Sequence, residues 1–464
     1  HSEDLLYRQG YEEFKKLNGS DKFFFFLHSA GKLKNGVSTD IDKRRIYIDL
    51  DENRVYSVNN QYAGNSLGLK KLAFRLAINK AQNEGWLAEH MFVMGVHGPK
   101  DRVAYFTGAF PSGCGKTSTA MIPGQTIVGD DIAYLKKIDG EVRAVNVENG
   151  IFGIIRNVNS EDDPIIYNVL NTPRELIFSN VLVNNGAPYW LGMGKGIPDK
   201  GTNHSGEWFK GKKDDEGNKI DCSHKNARFT IRLNTLKNLD PEADNPAGVP
   251  IKAVIYGGRD SDTNVPIAES LTWEHGVFLG ATVESETTSA TIGAQGVRKH
   301  NPMANLDFIS VPFMTYIKNH FKFKIGLKEI PKIYAVNYFL KDENGNYLTG
   351  KTYNKLWILW AEGRVNGDYK VTETPVGKIP KYEDLKGLFA RELKKDYSKE
   401  EYEQQFSLRL TKYLEKMERM RKIFENVEMP EAFNEELKAQ TERLKESRTK
   451  FGEDIISPFK FLER

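Results

Sequence analysis

The segment Phe110-Pro-Ser-Gly-Cys-Gly-Lys-Thr117 is the most informative motif of the sequence. It continues the apolar run 103–110, which is typical of a buried strand, and it leads into a helix-favouring segment. A glycine-containing loop between a strand and a helix presents backbone N–H groups and the positive helix end to phosphates. Lys116 would reach the outer phosphates, and the Thr117 hydroxyl would bind a divalent ion. Phe110 stands where a complete P-loop has glycine, so a chance match is the alternative.

A pair of carboxylates, Asp130-Asp131, ends the next short strand at 127–128. Alone, such a pair is more often a turn or a cap. Together with the loop, it indicates a divalent-ion site for phosphoryl transfer. Spacing alone does not make ligands of His90, Lys70 or Lys71, because a lone histidine is more often a core or hydrogen-bonded surface residue and lysines on a helix more often form a solvated face.

Composition excludes several classes of protein. The 464 residues carry a net charge of only +3, which is no electrostatic footprint for nucleic acid. No apolar run approaches the ~18 residues of a membrane span, so we expect no membrane association. Two cysteines exclude a disulfide framework and favour a reducing, cytoplasmic location.

Strand and helix patterns alternate along the chain, which predicts an α/β fold. Strands are expected within 44–57, 91–96 and 103–110, a helix over 66–83, a polar surface excursion at 201–226, and mostly helices from about 383. A helical stripe near the C-terminus predicts a helix packed on the body, with a partner-binding coiled coil as the alternative. The stripe comprises Tyr402, Phe406, Leu410, Tyr413, Leu414, Met417 and Phe424.

Two arginines stand beside strands in glycine-containing or small-residue turns. Arg228 lies in Asn226-Ala-Arg-Phe229, ahead of a strand, and Arg259 follows the apolar run 253–256 through Gly257-Gly258. Arginine suits bidentate binding of phosphate or carboxylate oxygens. A structural salt bridge is the equally good alternative for each.

These segments, in this order, resemble GTP-type phosphoenolpyruvate carboxykinases from about residue 20 to 390. The matching blocks include Tyr62-Ala-Gly-Asn-Ser-Leu, Glu84-Gly-Trp-Leu-Ala-Glu-His90, Phe110–Thr117, Val128-Gly-Asp-Asp-Ile-Ala133, Asn226–Phe229, Gly257-Gly-Arg259, His275-Gly-Val-Phe278 and Ile333-Tyr-Ala-Val-Asn-Tyr-Phe339. The resemblance implies a mixed-sheet, P-loop-containing carboxykinase fold. Its expected parts are an N-terminal substrate lobe remnant (1–85, apparently truncated), a nucleotide- and metal-binding lobe (86–390) with a mobile lid at about 285–296, and a C-terminal helical segment (391–464).

The resemblance also implies an activity: reversible conversion of oxaloacetate and GTP to phosphoenolpyruvate, CO2 and GDP. Mn2+ is expected at the catalytic site, and Mg2+ or Mn2+ with the nucleotide. The protein is expected to act as a monomer. A kinase on the same scaffold that uses ATP or pyrophosphate, or another small acid as acceptor, is the alternative.

Residue roles follow from the same resemblance. The implied metal ligands are His90, Asp131, Thr117 and either Lys70 or Lys71; the spacing leaves the choice of lysine open. The implied catalytic residues are Ser112, Cys114, Lys116, Arg228 and Arg259, and the substrate-binding residues are Tyr62, Gly64, Asn226 and Arg228. The implied nucleotide-binding residues are Gly113, Cys114, Gly115, Lys116, Thr117, Ser118, Arg259, Phe339, Tyr347 and Asn354. Because a helix N-terminus lowers a thiol pKa, Cys114 is expected to be modifiable.

The chain departs from the family pattern at charged and aromatic positions. Asp260 and Glu284 stand where the family has arginines, which removes positive charge near a triphosphate site. Thr349–Tyr353 replaces a stretch that carries a third base-stacking aromatic, so that aromatic is missing unless Tyr353 substitutes for it.

Overall fold

The structure is a computed structural model that describes residues 24–34, 37–59, 66–287 and 297–461, with Lys15 and Asn18. The chain forms two units, His1–Glu84 and Gly85–Arg464. Among the described residues, no helix is long and apolar enough to cross a membrane. Strands in several sheets, interspersed with helices, make the fold mixed α/β, as the alternating pattern predicts.

The first unit contains a small sheet and one long helix. Its elements are β1 (Phe25–Ser29), β2 (Leu33–Lys34), β3 (Val37–Ser38), β4 (Arg45–Asp49), β5 (Arg54–Val58) and α1 (Ser66–Glu84). β5 lies between β1, to which it is parallel, and β4, to which it is antiparallel. Val55 of β5 packs with Leu72 and Leu76 of α1, because one helix face is apolar. The strands predicted within 44–57 and the helix predicted over 66–83 are confirmed.

The second unit contains all the remaining elements. Its strands before residue 210 are β6 (Leu87–Glu89), β7 (Met91–His97), β8 (Val103–Ala109), β9 (Thr126–Gly129), β10 (Ala133–Ile138), β11 (Glu141–Asn146), β12 (Gly150–Ile154), β13 (Leu176–Ser179), β14 (Leu182–Asn184), β15 (Ala187–Tyr189), β16 (Lys200–Asn203) and β17 (Gly206–Phe209). Its later strands are β18 (Arg228–Arg232), β19 (Val249–Gly258), β20 (Ile267–Glu269), β21 (Glu284–Glu286), β22 (Arg298–His300), β23 (Lys332–Asn337), β24 (Val371–Thr374), β25 (Gly377–Pro380), β26 (Leu408–Arg409) and β27 (Ile455–Ile456). Its helices are α2 (Lys116–Ala120), α3 (Pro164–Leu170), α4 (Trp273–Ala281), α5 (Phe313–Lys322), α6 (Tyr353–Val365), α7 (Tyr382–Leu388), α8 (Lys399–Phe406), α9 (Leu410–Phe424) and α10 (Glu431–Phe451).

An eleven-stranded mixed sheet organises this unit. β8, β19 and β23 are parallel neighbours, and β7 runs antiparallel to both β8 and β9. β8 and β19 are mostly apolar and buried, as expected for strands covered on both faces. The carboxyl ends of β8, β9, β19 and β23 therefore lie at the same edge of the sheet as the start of β7.

Two features refine the sequence expectations. The polar excursion at 201–226 is mostly exposed, but it contributes to a four-stranded sheet whose own core includes Leu182, Trp208 and Cys222. The C-terminal stripe is two helices, α8 and α9, because the chain extends at 408–409 to pair as β26 with β27. Six of the seven stripe residues are buried and Leu414 is half-buried, so the stripe packs within this unit.

Candidate active site

The sheet topology brings five chain segments to one edge. The phosphate loop 110–115 follows β8, Asp131 follows β9, Arg259 follows β19, and Phe339 follows β23. His90 belongs to the same edge because it precedes the antiparallel β7. Residues far apart in sequence thus meet where ligands usually bind α/β sheets.

The predicted strand–loop–helix arrangement around the phosphate loop is confirmed. Gly113 and Gly115 have φ angles of 73° and 104°, which glycine adopts readily. α2 begins at Lys116, and the Gly115 carbonyl accepts hydrogen bonds from the Thr119 amide at 3.0 Å and the Ser118 hydroxyl at 3.1 Å. Ser112 and Ser118 are exposed at this loop, and Thr117 is half-buried.

Gly115→Ala is expected to weaken GTP binding by about 100-fold, since it both forces a left-handed alanine and places a Cβ 2.8 Å from the Tyr338 ring. The resulting shift would move the loop amides away from the phosphates. Gly124→Ala is the matched control, because φ is also positive there but a Cβ would meet nothing within 4 Å. Isothermal titration with GTP compares the two variants; equal affinities would contradict the role of the close approach.

His90, Lys116 and Asp131 form one contact cluster. Nε2 of His90 lies 2.8 Å from Oδ1 of Asp131, and the Lys116 ammonium contacts both this Oδ1 and, at 3.2 Å, the same Nε2. Nδ1 of His90 lies 3.2 Å from the Ala304 carbonyl oxygen. The Ala304 carbonyl and the Asp131 carboxylate both accept, so each ring nitrogen of His90 faces an acceptor oxygen, and Nδ1 is the nitrogen that can donate to the Ala304 carbonyl.

This cluster suits a cation. An imidazole nitrogen and a carboxylate oxygen converge at the mouth of the phosphate loop, and the positive charge beside them is that of Lys116. The neighbouring carboxylate of Asp130 has a buried Oδ1 without a hydrogen-bond partner among the described residues. No group of three His, Cys, Asp or Glu side chains suited to a metal occurs in the part of the chain that the structure describes. Lys70 and Lys71, between which the resemblance leaves the choice of metal ligand open, are half-buried on α1 of the first unit.

Cys114 contradicts the expectation of a reactive thiol. Its side chain is buried, and Sγ lies 2.9 Å from the Ser285 hydroxyl at the start of the segment predicted as a lid. Burial raises the pKa of the thiol and outweighs the Ser285 hydrogen bond and the Arg259 charge, which favour the thiolate. The expected lowering of the thiol pKa is therefore wrong, because the loop buries the thiol away from solvent at the start of a helix of only five residues.

Cys114 is expected to resist thiol reagents in the folded chain. Its raised pKa keeps the thiolate fraction at about pH 8 below that of a free thiol. Raising the pH should therefore increase the rate at which Cys114 reacts with the reagent. A Cys222→Ser variant isolates Cys114 for titration with a disulfide reagent before and after unfolding in guanidinium chloride. Labelling of the folded variant as fast as the unfolded one would contradict this expectation.

Arg259 and Phe339 form the second half of the site. Arg259 donates from Nη2 to the Gly113 carbonyl at 2.6 Å, and its guanidinium lies 3.6 Å from the centroid of the Phe339 ring. Tyr347 meets Phe339 edge-on at 6.3 Å between centroids. The Asn354 amide donates to the Ser118 carbonyl at 3.2 Å, so the residue implied to read the base lies beside α2.

Tyr353 does not supply the missing third aromatic. Its ring is buried edge-on against Phe389, at 4.7 Å between centroids, and its hydroxyl donates to Glu401 at 2.8 Å. The Tyr353 side chain thus packs α6 against neighbouring segments. Of the aromatics that the resemblance implies for base stacking, Phe339 and Tyr347 contact each other, and Tyr353 does not join them.

The implied substrate residues are only partly described. Oδ1 of Asn226 accepts from Nε and Nη2 of Arg228, at 3.0 and 2.7 Å, and the Arg228 guanidinium lies 5.4 Å from the Phe152 ring centroid. Tyr62, Gly64 and residues 288–296 of the expected lid lie outside the described residues. Phe152 was not predicted; its position on β12, which pairs with the strand of Arg228, could have suggested it.

The two carboxylates that replace family arginines form internal ion pairs. Buried Asp260 pairs with Arg298 at 3.1 Å, and buried Glu284 pairs with Arg419 of α9 through two 2.8 Å hydrogen bonds. The Arg419 charge, together with that of Lys416, holds the pKa of Glu284 low despite the opposing effect of burial. The negative charges of Asp260 and Glu284 are therefore balanced within the fold. This reduces the repulsion of phosphate that the two substitutions would otherwise cause.

A glycine-containing loop between a strand and a helix, with cationic side chains at the same edge of the sheet, is typical of a nucleotide-phosphate site. The family profiles agree: the phosphoenolpyruvate carboxykinase C-terminal P-loop domain matches residues 86–443, and the N-terminal domain of the same family matches residues 1–82. The chain belongs to the phosphoenolpyruvate carboxykinase family.

Similar proteins carry one name. A Pyrococcus horikoshii protein named phosphoenolpyruvate carboxykinase [GTP] is 57% identical over 468 residues, which cover 100% of this chain and 75% of that protein. Proteins of the same name from Thermococcus kodakarensis and Saccharolobus solfataricus are 56% and 48% identical, each covering 99% of this chain and 74% of the relative. The name specifies GTP, so the alternative donors are not favoured.

Proposed function

We propose that this chain catalyses the reversible decarboxylation and phosphorylation of oxaloacetate with GTP, which yields phosphoenolpyruvate, CO2 and GDP. The observation that carries the proposal is the cluster of His90, Lys116 and Asp131 at the mouth of the phosphate loop. The names of the relatives support both the donor and the reaction.

The phosphate loop and two positively charged side chains, Lys116 and Arg259, would bind the nucleotide. The backbone amides after Ser112 face the phosphates, and Lys116 and Arg259 spread the charge that develops during transfer. Arg259 needs little reorganisation for this, because its guanidinium already contacts the loop at Gly113. Phe339 and Tyr347 would stack on the purine, and Asn354 would distinguish guanine from adenine.

His90 and Asp131 would hold the catalytic divalent ion, with Lys70 or Lys71 as a further ligand, and Thr117 would hold a second ion with the nucleotide. Mixed nitrogen and oxygen donors favour Mn2+ over Mg2+ at the first site. Such an ion supplies a positive charge at the oxygen where negative charge develops on decarboxylation. Lys116 would leave its contact with Asp131 for the phosphates as the ion enters.

Arg228 and Asn226 would bind the acid substrate. The Asn226 carbonyl oxygen fixes two guanidinium nitrogens of Arg228, and the Phe152 ring supports the same group, so the remaining donors are aimed before substrate arrives. Tyr62 and Gly64 are proposed to contact a carboxylate or CO2. The roles of Cys114 and of the lid at about 285–296 rest on the resemblance; exclusion of water by such a lid would prevent wasteful protonation of the enolate.

The compartment and assembly state are proposed as cytoplasmic and monomeric. Both cysteines are free and buried, which fits a reducing compartment. No nucleic acid or membrane partner is proposed.

Turnover of oxaloacetate by the purified chain with Mn2+, compared among GTP, ITP, ATP and pyrophosphate, tests the proposal. Phosphoenolpyruvate formed with GTP and ITP but not with ATP or pyrophosphate is the expected result. Formation with ATP at an equal rate would refute the base-reading role of Asn354. A chain that binds GTP and Mn2+ but forms no phosphoenolpyruvate with any donor would refute the function.

A further inference from the structure

A strained turn lies behind the histidine of the site. The chain passes through Pro302–Ala304 with φ angles of 53° at Met303 and 52° at Ala304. Left-handed conformations are uncommon for residues that carry a Cβ, and two in succession are rarer still. All three residues are buried, so this is not an exposed surface turn.

The turn directs a backbone acceptor at His90. The Ala304 carbonyl oxygen lies 3.2 Å from Nδ1 of His90, across 214 residues of sequence. The ring also meets Phe308 edge-on, at 5.1 Å between centroids. A carbonyl can only accept, so this partner favours a proton on Nδ1, while Nε2 faces Asp131 at 2.8 Å.

A second contact ties the turn to the same strand end. Asn305, next to Ala304, donates from Nδ2 to the Tyr316 hydroxyl at 2.9 Å, and that hydroxyl donates to Glu89 at 2.7 Å. Glu89 directly precedes His90, and Glu89, Asn305 and Tyr316 are all buried. Two adjacent turn residues are therefore joined to Glu89, which ends β6, and to His90, which precedes β7, and these contacts fix both the position and the orientation of the imidazole.

We propose that the turn at Met303–Asn305 is a positioning element that sets the tautomer and the orientation of His90 for cation binding. The inference rests on the proposed function in taking His90 as a ligand, but the tautomer it predicts exists without metal or substrate. The strained backbone is retained because a relaxed turn would aim the Ala304 carbonyl elsewhere. Ala304 and Asn305 act through His90 and do not themselves touch substrate.

Nitrogen NMR of the full chain, labelled with 15N-histidine and free of metal, tests the tautomer directly. The His90 signals are identified by their loss in His90→Gln. Nδ1 is expected to carry a proton; an unprotonated Nδ1 would overturn the proposal. This result needs neither activity nor a variant of the turn.

Two substitutions at one position test the turn. Ala304→Val disfavours the left-handed backbone and is expected to disturb the Nδ1 signature and to weaken Mn2+ binding by about 10- to 100-fold, as measured by electron paramagnetic resonance without nucleotide. Ala304→Gly permits the same φ and is expected to keep both properties. A folded Ala304→Val with unchanged tautomer and Mn2+ affinity would overturn the proposal. If Ala304→Val fails to fold, the tautomer of the unaltered chain and the Mn2+ affinity of Ala304→Gly still decide.

Failure of this inference is distinguishable from failure of the proposed function. A chain that forms phosphoenolpyruvate from GTP but has an unprotonated His90 Nδ1 loses only the positioning role. A chain with the expected tautomer and Mn2+ affinity but no turnover keeps the positioning role and loses the function.

Discussion

Asp131→Asn is expected to lower kcat/KM for phosphoenolpyruvate formation by about 1,000-fold, because the amide cannot replace the charge that holds a divalent ion. The side-chain shape is kept, and the ion pair of Asp131 with Lys116 becomes a weaker hydrogen bond from the ammonium to an uncharged amide oxygen. GTP affinity measured without metal should change by less than about 10-fold, since the loop amides and Arg259 remain. Steady-state kinetics across a range of Mn2+ concentrations measure the loss.

The control for this variant is Asp139→Asn. Asp139 is exposed in the turn after β10 with φ of 54°, a conformation that asparagine accepts. Its kinetics should match those of the unaltered chain. An Asp131→Asn variant that keeps more than a tenth of the unaltered kcat/KM would show that Asp131 is not a metal ligand.

Lys116→Met is expected to lower kcat by about 100- to 1,000-fold, a larger effect than on KM for GTP. The ammonium neutralises charge on the transferred phosphoryl group, and this charge is greatest in the transition state. Removing the lysine also leaves the carboxylate of Asp131 without the cation that it contacts. Initial rates at varied GTP concentration separate kcat from KM.

Lys210→Met is the matched control for the lysine variant. Lys210 directly follows β17, its side chain is 81% exposed, and it is far in sequence from the phosphate loop. It should leave both constants unchanged. A Lys116→Met variant whose KM rises while kcat stays within about threefold would assign Lys116 to ground-state binding only.

Local patterns predicted the framework of the site because they depend on neighbouring residues. The apolar run before the phosphate loop and Gly115 suffice to predict a strand, a loop and a helix start. The carboxylates after 127–128 were likewise predicted at a strand end. What the sequence alone left undecided was whether His90 belongs with them, since that depends on β7 running antiparallel to β8 and β9.

Long-range contacts account for the features that were not predicted. Burial of the Cys114 thiol raises its pKa, although the hydrogen bond to Ser285, 171 residues away, acts in the opposite direction. Arg298 pairs with Asp260, and Arg419 pairs with Glu284. The sequence alone shows these two carboxylates only as replacements for family arginines, without their partners. The extended residues 408–409 interrupt a stripe whose period is otherwise helical, because they pair with β27. None of these partners is marked by a local pattern.

Phosphoryl transfer at this sheet edge can be followed as label from [γ-32P]GTP in a single turnover with oxaloacetate and Mn2+. We expect the label to appear in phosphoenolpyruvate with the unaltered chain and to be nearly absent from it with Asp131→Asn under the same conditions. Label recovered only as inorganic phosphate, or transferred equally by Asp131→Asn, would contradict the claim that this sheet edge carries out phosphoryl transfer through the His90–Lys116–Asp131 cluster.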